Sequence, residues 1–540
     1  MENLPAKIKA SPPEWFLLIA IAALAALAYA PGITSPFVLD DAGTVVGNMS
    51  LRGFPSLHAL VPPRGSSVAG RPFANLSFAV SFALGGLRPA GFRIMNLAIH
   101  ILAAWFLFLI TKTALGDPKP FPKLRPHAGT VAFFSALIFA LHPLQTGAVT
   151  YITQRAESLS AMLGLGALWF AARGFSSSYR NSWHAASVLF LFLAAGSKET
   201  AAAMPVIIYF YDTVICGSGW RQALSRSRLL YLGAATALLF LVALTATGRQ
   251  AETVHSSYSW WSYLLAQPGT IGTYLRLCLS PTDLCFDRWN EAAGRTENLA
   301  WGLVLATALA FTLAGLWKRK PAAFGAAWFF LALAPSSSFY PLADAAAEYR
   351  VYPALAPLAV LFCSGIFLLG MRLPPRGGNK AAAAFLCVCC IALGVACWSR
   401  NAVFASAEDL WADTLARCPD NPRAMVNLGR ALADKGDFAG ATELFRRALG
   451  EAPDLSPVHA NLGYALLRTG RAQEAADELT LSLALSPDNP GTLALLGEAL
   501  HALGRDREAM VRLDRALELF PELSDARRLR NELEKAGSGK

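Results

Sequence analysis

The feature that most constrains this chain is a succession of apolar runs, each about as long as a membrane-spanning helix. A helix needs about 20 apolar residues to cross a bilayer, and fewer where its end residues reach the interface. The runs predict about eleven spans, at residues 13–31, 93–112, 127–144, 156–173, 182–197, 199–216, 228–247, 298–317, 321–336, 350–371 and 381–399. The shorter apolar run 72–86 is interpreted as interfacial or re-entrant.

The composition also indicates a membrane protein. Hydrophobic residues make up 54% of the chain and charged residues only 16%, which is more apolar than a soluble globular protein needs. A net charge of +10 would suggest nucleic acid in a soluble protein, but the Lys and Arg residues of membrane proteins collect in cytoplasmic loops. We therefore expect the lipid bilayer, and no nucleic acid, among the partners.

The basic residues predict the orientation of the spans. When the N-terminal Lys7 and Lys9 are placed in the cytoplasm, every second loop should be basic. Basic residues do occupy those loops: Lys112, Lys119, Lys123 and Arg125; Arg173 and Arg180; Arg221, Arg226 and Arg228; Lys318, Arg319 and Lys320; Arg372, Arg376 and Lys380. The N-terminus is therefore expected in the cytoplasm and everything after the last span outside it. Abundant Ala, Gly and Arg, with short loops, favours a bacterial inner membrane over the endoplasmic reticulum.

From about residue 403 the chain becomes charged, and an internal repeat begins. Four positions recur every 34 residues: Leu428, Leu462 and Leu496 (each followed by Gly); Ala431, Ala465 and Ala499; Gly436, Gly470 and Gly504; Pro453, Pro487 and Pro521. This period indicates tetratricopeptide repeats, which are pairs of antiparallel helices stacked into a solenoid.

We therefore predict an all-α protein of two domains. Residues 1–402 form a polytopic membrane domain, and residues 403–540 form three full repeats, with a partial repeat before them (Asp409–Pro419) and a capping helix after them (Ser524–Ala536). Such a solenoid usually binds a protein partner on its concave face, and the alternative is a spacer without a ligand.

Charged residues gather in the segments predicted to face outward. Ionisable groups close to a bilayer are costly, so those at span ends are functional candidates. The set comprises Asp40, Asp41, Arg71, Asn96, His100, His142, Gln154, Arg155, Glu157, Lys198, Glu199, Arg350 and Tyr352. Taken singly, adjacent carboxylates are usually a solvated turn, a histidine in a span usually bonds another helix, and Arg155 or Lys198 could anchor to headgroups. Their shared face predicts one outer cavity suited to a phosphate-bearing substrate.

The nine cysteines show no metal-finger spacing. Cys278 and Cys285 are the pair we place outside the membrane interior on the oxidising side, where a disulfide between them is one alternative.

Five segments of the chain follow one another as in the transmembrane and tetratricopeptide-repeat containing protein O-mannosyltransferases. They read SPFVLDDAGTVVGN, RPFANLSFAVSFALGGLRPAGFRIMNLAIHIL, ALHPLQTGAVTYITQRAESLSAM, GSKETAAAMPVIIYFYD and AAAEYRVYPALAPLAV. The chain resembles this family through most of its membrane part and into the repeats. The resemblance implies a GT-C fold and a sugar donor, mannose or similar, carried on a polyprenyl phosphate. It also implies that Asp40 or Asp41 is the general base of an inverting displacement by a protein or glycan hydroxyl.

A lipid phosphate leaving group needs cations to stabilise its charge. Arg155, Lys198 and Arg350 are the candidates for binding the donor phosphate, followed by His142. Glu157 and Glu199 are expected to orient these cations. Arg71, His100, Gln154 and Tyr352 complete the supporting set.

We expect no metal requirement, because no third acidic ligand is evident near the aspartate pair. The alternative is that Asp40 and Asp41 hold a divalent ion, Mg²⁺ or Mn²⁺.

Two functions of different class remain open. One is a lipid-phosphate-sugar-dependent glycosyltransferase acting outside the cytoplasm. The other is a non-catalytic membrane scaffold that displays the repeats to a protein partner. A transporter would instead place charges near mid-span on broken, inverted-repeat helices.

Overall fold

A computed structural model describes residues 13–117, 119–248, 259–289, 295–338, 341–342, 344–374 and 377–538. Within these ranges the chain is helical and contains no strand, so the predicted all-α class is confirmed. Lys7, Lys9 and Arg376, which contributed to the predicted orientation, lie outside the described residues.

The chain divides into two compact units. The first, which we call the membrane unit, contains the described residues up to Leu284 and those from 295 to Ala405. The second, the repeat unit, contains Cys285–Trp289 together with the described residues from Ser406 onward. The division at 405/406 lies close to the boundary predicted after residue 402.

The membrane unit is built from fifteen α-helices within the described ranges, joined by short 3₁₀ and π turns. They are α1 Glu14–Tyr29, α2 Pro72–Gly85, α3 Pro89–Gly116, α4 Ala128–Leu141, α5 Thr146–Val149, α6 Arg155–Ser176, α7 Arg180–Ala195, α8 Met204–Phe210, α9 Trp220–Arg226, α10 Arg228–Gly248, α11 Trp260–Leu279, α12 Arg295–Trp317, α13 Pro321–Leu333, α14 Tyr352–Gly370 and α15 Gly378–Val403. The interior is packed around α3, α4 and α6, whose central residues are buried on several sides.

The predicted number of eleven spans is not confirmed. In the described part of the chain, seven helical segments are long and apolar enough to cross a membrane, and two strongly bent pairs raise the number to nine at most. The predicted spans 182–197 and 321–336 correspond to α7 and α13, which have 16 and 13 residues and are shorter than a full span.

One long helix was missing from the sequence prediction. α11 occupies 20 residues of the stretch 248–297, which we had assigned to an outer loop. Its interior contains Pro268, and a proline followed by glycine ordinarily indicates the end of a helix. Gln267, Thr270 and Tyr274 are nevertheless buried, so packing within the unit, rather than local apolarity, accounts for this helix.

The repeat unit consists of antiparallel helix pairs. Its helices are α16 Ala407–Arg417, α17 Pro422–Asp434, α18 Phe438–Glu451, α19 Ser456–Arg468, α20 Ala472–Leu485, α21 Pro490–Ala502, α22 Asp506–Leu519 and α23 Ser524–Ser538. α17 to α22 form the three predicted repeats. α16 lies where the partial repeat was predicted, and α23 lies where the capping helix was predicted.

The recurring residues of the repeat have direct packing roles. A Cβ atom at Gly463 in α19 would come within 2.6 Å of Leu479 Cγ in α20, so only glycine permits this approach of the two helices. Gly429 and Gly497 are placed in the same way against Phe445 and Leu513. The other recurring glycines, at 436, 470 and 504, adopt positive φ in the turn within each pair, a conformation that residues with a Cβ rarely adopt.

All nine cysteines are free thiols in the structure, so neither the Cys278–Cys285 alternative nor any other disulfide is present. Cys278 belongs to α11 of the membrane unit, whereas Cys285 belongs to the repeat unit. The Cys285 sulfur lies beside Cys418 instead.

We predict opposite effects on stability for two glycine substitutions in the repeat unit. Gly463→Ala should lower the free energy of unfolding by about 1–3 kcal/mol, because the new methyl group overlaps Leu479. Gly450→Ala, at an exposed position of α18 with nothing within 4 Å of the new Cβ, should raise it by up to about 1 kcal/mol through helix propensity. Thermal unfolding of the full chain in detergent, with the protease sensitivity of the repeats as the signal, measures the effect of both substitutions. Equal stabilisation by the two changes would contradict the close approach at Gly463.

Candidate active site

The membrane unit contains a polar cavity of about 460 Å³. Its lining includes seven residues singled out from the sequence: Asp40, Arg71, Gln154, Glu157, Lys198, Glu199 and Arg350. These residues come from five separate parts of the chain. The most distant pair, Asp40 and Arg350, is separated by 310 residues in the sequence. Asp344 and Tyr349 line the same cavity and had not been proposed for a role.

The two adjacent aspartates occupy different environments. Asp40 is exposed and lines the cavity, whereas Asp41 is fully buried. Leu39, just before them, has a φ of 44°, which is uncommon for a residue with a branched side chain and is typical of tight turns at functional sites. The turn directs neighbouring carboxylates to different surroundings. No described residue donates a hydrogen bond to the Asp40 carboxylate.

The Asp41 carboxylate is held by three hydrogen bonds. Oδ2 accepts one from the Val38 amide at 3.0 Å, and Oδ1 accepts two from Thr153, from the amide at 2.9 Å and from the hydroxyl at 2.7 Å. Burial raises the pKa of Asp41 to about 6, and these hydrogen bonds oppose that rise. Asp41 therefore fixes the acidic turn to the chain segment before α6.

Lys198 lines the cavity together with its neighbours Gln154, Glu157 and Tyr349. Its ammonium is 3.0 Å from Glu157 Oε2, donates to Gln154 Oε1 at 3.3 Å and lies 5.0 Å from the centre of the Tyr349 ring. Burial lowers the pKa of Lys198 from its usual value, and the neighbouring Glu157 carboxylate opposes the shift. Glu157 therefore forms the ion pair with Lys198 that its expected role of orienting a cation requires.

Two arginines complete the positive lining. Arg71 binds both oxygens of Glu199, at 3.0 and 3.1 Å, and also donates to the Ser67 carbonyl. Arg350 is buried and donates to the carbonyls of Asp344 and Ala345 and to the Tyr263 hydroxyl. Both guanidinium groups are therefore held in place by the protein at the edge of the cavity.

The structure gives Arg155 a positioning role in place of the proposed phosphate contact. It is fully buried and donates to Asn96 Oδ1, Ser81 Oγ and two carbonyls, at distances of 2.6 to 2.9 Å. Its guanidinium also lies 4.3 Å from the centre of the Phe78 ring. These bonds fix α6 to α2 and α3, and Arg155 does not line the cavity.

His100, His142 and Tyr352 also lie away from the cavity lining. His100 is bonded to the Tyr352 hydroxyl at 2.8 Å and to the Ala140 carbonyl at 3.0 Å. His142 accepts from the Leu144 amide and is bonded to the Cys278 carbonyl at 3.1 Å. We therefore withdraw His142 from the donor-binding set and assign all three residues to the support of the helices.

Two residues near the acidic turn were missed by the sequence analysis. Arg93 is buried and donates to the carbonyls of Ser35 and Pro36, just before the acidic turn, and to that of Thr150. The Tyr151 hydroxyl lies 3.3 Å from the Asp40 amide nitrogen. Arg93 is the first residue of the predicted span 93–112, and a charged residue at the end of a span was a signal that could have identified it.

Comparisons with known proteins agree with the two-part organisation. A family model for the tetratricopeptide repeat matches residues 432–481 and 466–533. Human protein O-mannosyl-transferase TMTC4 is 25% identical over 487 residues, covering 79% of this chain and 65% of that protein. Protein O-mannosyl-transferase F38B6.6 of Caenorhabditis elegans is 23% identical over 446 residues, covering 78% of this chain and 60% of that protein.

The chain resembles protein O-mannosyl-transferases over most of its length. The resemblance inferred from the five sequence segments is therefore confirmed. The chain spans 60 to 65% of the length of these two relatives. Each match covers more residues of this chain than the membrane unit contains. Each match therefore also includes residues of the repeat unit.

The two aspartates should respond differently to the same substitution. Asp41→Asn should lower the free energy of unfolding by about 1–3 kcal/mol, because the amide group places a donor against the donors of Val38 or Thr153. Asp40→Asn, at an exposed position, should change it by less than about 0.5 kcal/mol. Unfolding temperatures of the two proteins in detergent test this difference. If both variants matched the wild type, Asp41 would not be the anchor of the turn.

Proposed function

We propose that this protein is an integral-membrane glycosyltransferase of the GT-C type that moves a sugar, mannose or similar, from a polyprenyl-phosphate carrier to a protein or glycan hydroxyl. One observation carries the proposal: an exposed carboxylate, Asp40, shares a cavity with the three cations Arg71, Lys198 and Arg350. The names of the relatives support a mannosyl donor and a protein acceptor.

Asp40 is the general base of this proposal. Its carboxylate takes the proton from the acceptor hydroxyl while that oxygen attacks the anomeric carbon. The bond between the anomeric carbon and the phosphate oxygen breaks, and the lipid phosphate leaves with its electron pair. A single displacement of this kind inverts the anomeric centre. The location of Asp40 in the cavity, and the engagement of Asp41 elsewhere, support this choice between the two aspartates.

The cations stabilise the departing phosphate. A lipid phosphate is already a stable anion, so the displacement needs positive charge near the leaving oxygen more than it needs an acid. Arg71, Lys198 and Arg350 are each held by neighbouring groups, so little reorganisation is required when the phosphate binds. Lys198 and Arg350 keep the role expected from the sequence, and Arg71 takes the place of Arg155 in the set of cations.

We propose that the transfer requires no divalent metal. Both oxygens of Asp41 already accept hydrogen bonds within the protein, so the aspartate pair does not fit a shared Mg²⁺ or Mn²⁺. The described residues also contain no group of three carboxylate, histidine or cysteine side chains arranged to hold a metal.

The proposed topology places the cavity and the repeats on the extracytoplasmic side. The alternation of basic loops supports a cytoplasmic N-terminus, and the composition supports a bacterial inner membrane over the endoplasmic reticulum. The repeats then face the compartment that contains the acceptors, where they bind either the acceptor protein or an assembly partner.

Asp40→Asn should reduce sugar transfer about 10²–10⁴-fold, because the amide cannot accept the hydroxyl proton. The assay uses purified protein in lipid, radiolabelled polyprenyl-phosphate mannose and an extract of extracytoplasmic proteins. Asp117→Asn is the matched control, since Asp117 lies in another loop and does not line the cavity.

Two outcomes would contradict this assignment. Full activity in a folded Asp40→Asn protein would remove Asp40 as the base and direct attention to Glu157 and Glu199. Absence of transfer by the wild type from every lipid-linked sugar supplied would favour the scaffold function over the enzyme.

A pair of variants separates the structural and chemical roles of Lys198. Lys198→Met alone should destabilise the protein by about 3–5 kcal/mol, because it leaves the buried Glu157 carboxylate without its cation. Adding Glu157→Gln should restore most of the stability but leave transfer reduced about 10²-fold or more, since the phosphate still lacks a cation. Wild-type transfer by a stable double variant would show that the ion pair is structural alone.

A further inference from the structure

A short segment of the chain packs against residues that are far from it in the sequence. Cys285–Trp289 belongs to the repeat unit and lies against α16 and α17. The Phe286 ring meets Trp411 edge to face, with 5.5 Å between centroids. Asp287 forms an ion pair with Arg423 at 2.5 Å, and its carbonyl accepts from the Asn421 side chain at 2.8 Å.

The same arginine covers the end of the segment. The Arg423 guanidinium lies 4.4 Å from the centre of the Trp289 ring. Aromatic, ionic and hydrogen-bonding contacts therefore hold both ends of these five residues against the first helices of the repeat unit. They also determine where the cysteine at the start of the segment lies.

That cysteine faces another cysteine. The Cys285 and Cys418 sulfur atoms lie 2.8 Å apart, although 133 residues separate them in the sequence. Cys285 is buried, whereas Cys418, in the turn after α16, is half-buried. Disulfide formation requires backbones that are close and side chains that point toward each other, and this arrangement needs only a small adjustment of the side chains.

We propose that Cys285 and Cys418 form a structural disulfide, with a disulfide-carrying oxidant of the extracytoplasmic compartment as co-reactant. The half-buried Cys418 thiolate attacks the oxidant's disulfide and forms a mixed disulfide. The Cys285 thiolate then attacks the Cys418 sulfur, and the oxidant leaves as a dithiol. The two cysteines together lose two electrons and two protons, which the oxidant takes up.

The bond would join the segment after α11 covalently to the start of the repeats. It closes a loop of 133 residues that includes α12 to α15, and a disulfide across so long a loop restricts the unfolded chain strongly. The inference depends on the proposed topology, in which the repeats lie outside the cytoplasm, because disulfides persist in oxidising compartments. It does not depend on sugar transfer.

The experiment uses the full chain, solubilised from its membrane in the presence of N-ethylmaleimide. A Cys278→Ser background is needed because trypsin leaves residues 277–288 as one peptide, which contains both Cys278 and Cys285. We expect non-reducing mass spectrometry to find this peptide linked to residues 418–423, with both released by reduction. Cys285→Ser and Cys418→Ser should each abolish the link. A reductant should lower the unfolding temperature of the Cys278→Ser protein by several degrees. It should leave unchanged the unfolding temperature of that protein when Cys285→Ser and Cys418→Ser are both added.

The location of the repeats is measured in parallel by protease protection of a C-terminal tag in intact cells or vesicles. Complete alkylation of Cys285 and Cys418 without reduction, with the tag located outside the cytoplasm, would overturn the disulfide while leaving the topology standing. A tag on the cytoplasmic side would overturn both. Loss of sugar transfer in the presence of the intact link would affect the proposed function and not this inference.

Discussion

The membrane unit buries charged side chains, and the protein supplies them with hydrogen bonds or ion pairs. An unpaired charge in such surroundings costs several kcal/mol. Arg155 meets this constraint with bonds to α2 and α3, Arg93 with three carbonyls, and Asp41 with three donors. These bonds join the acidic turn, α2 and α3 to the chain around the start of α6, and together they form a polar framework within the unit.

This framework explains why adjacent residues of the same type occupy different environments. Asp41 faces the framework and Asp40 faces the cavity, and both follow the left-handed residue Leu39. A carboxylate used as a base must meet the acceptor hydroxyl, whereas the carboxylate beside it keeps the turn in place. In the proposed function, one carboxylate of the acidic pair acts as the base and the other holds the turn.

The cations show the same distinction between residues that line the cavity and residues that support it. Lys198 and Arg71 are paired with carboxylates yet remain on the cavity wall. Such pairing keeps a cation oriented and lowers the cost of burying it before any substrate binds. Arg155 does not line the cavity, because its guanidinium donates its hydrogen bonds to α2 and α3.

The sequence by itself determined the all-helical class, the membrane character, the repeats and the set of motifs that meet in the cavity. Apolar runs and the 34-residue period are local properties. Each indicates which surface of its own segment must be buried. Most of the cavity residues were also recognisable, because charges near apolar runs are rare enough to be informative.

Only the tertiary structure decided which of those charges line the cavity. Arg155 and Lys198 are both basic residues beside apolar runs in the sequence, but Arg155 is bonded to α2 and α3 and Lys198 lies in a turn that lines the cavity. The same is true of α11, which is held by packing despite Pro268, and of Cys285, which lies next to Cys418 and not beside Cys278. The burial of a residue and the identity of its bonding partners depend on segments far apart along the chain. A local sequence pattern does not indicate which distant segments come into contact.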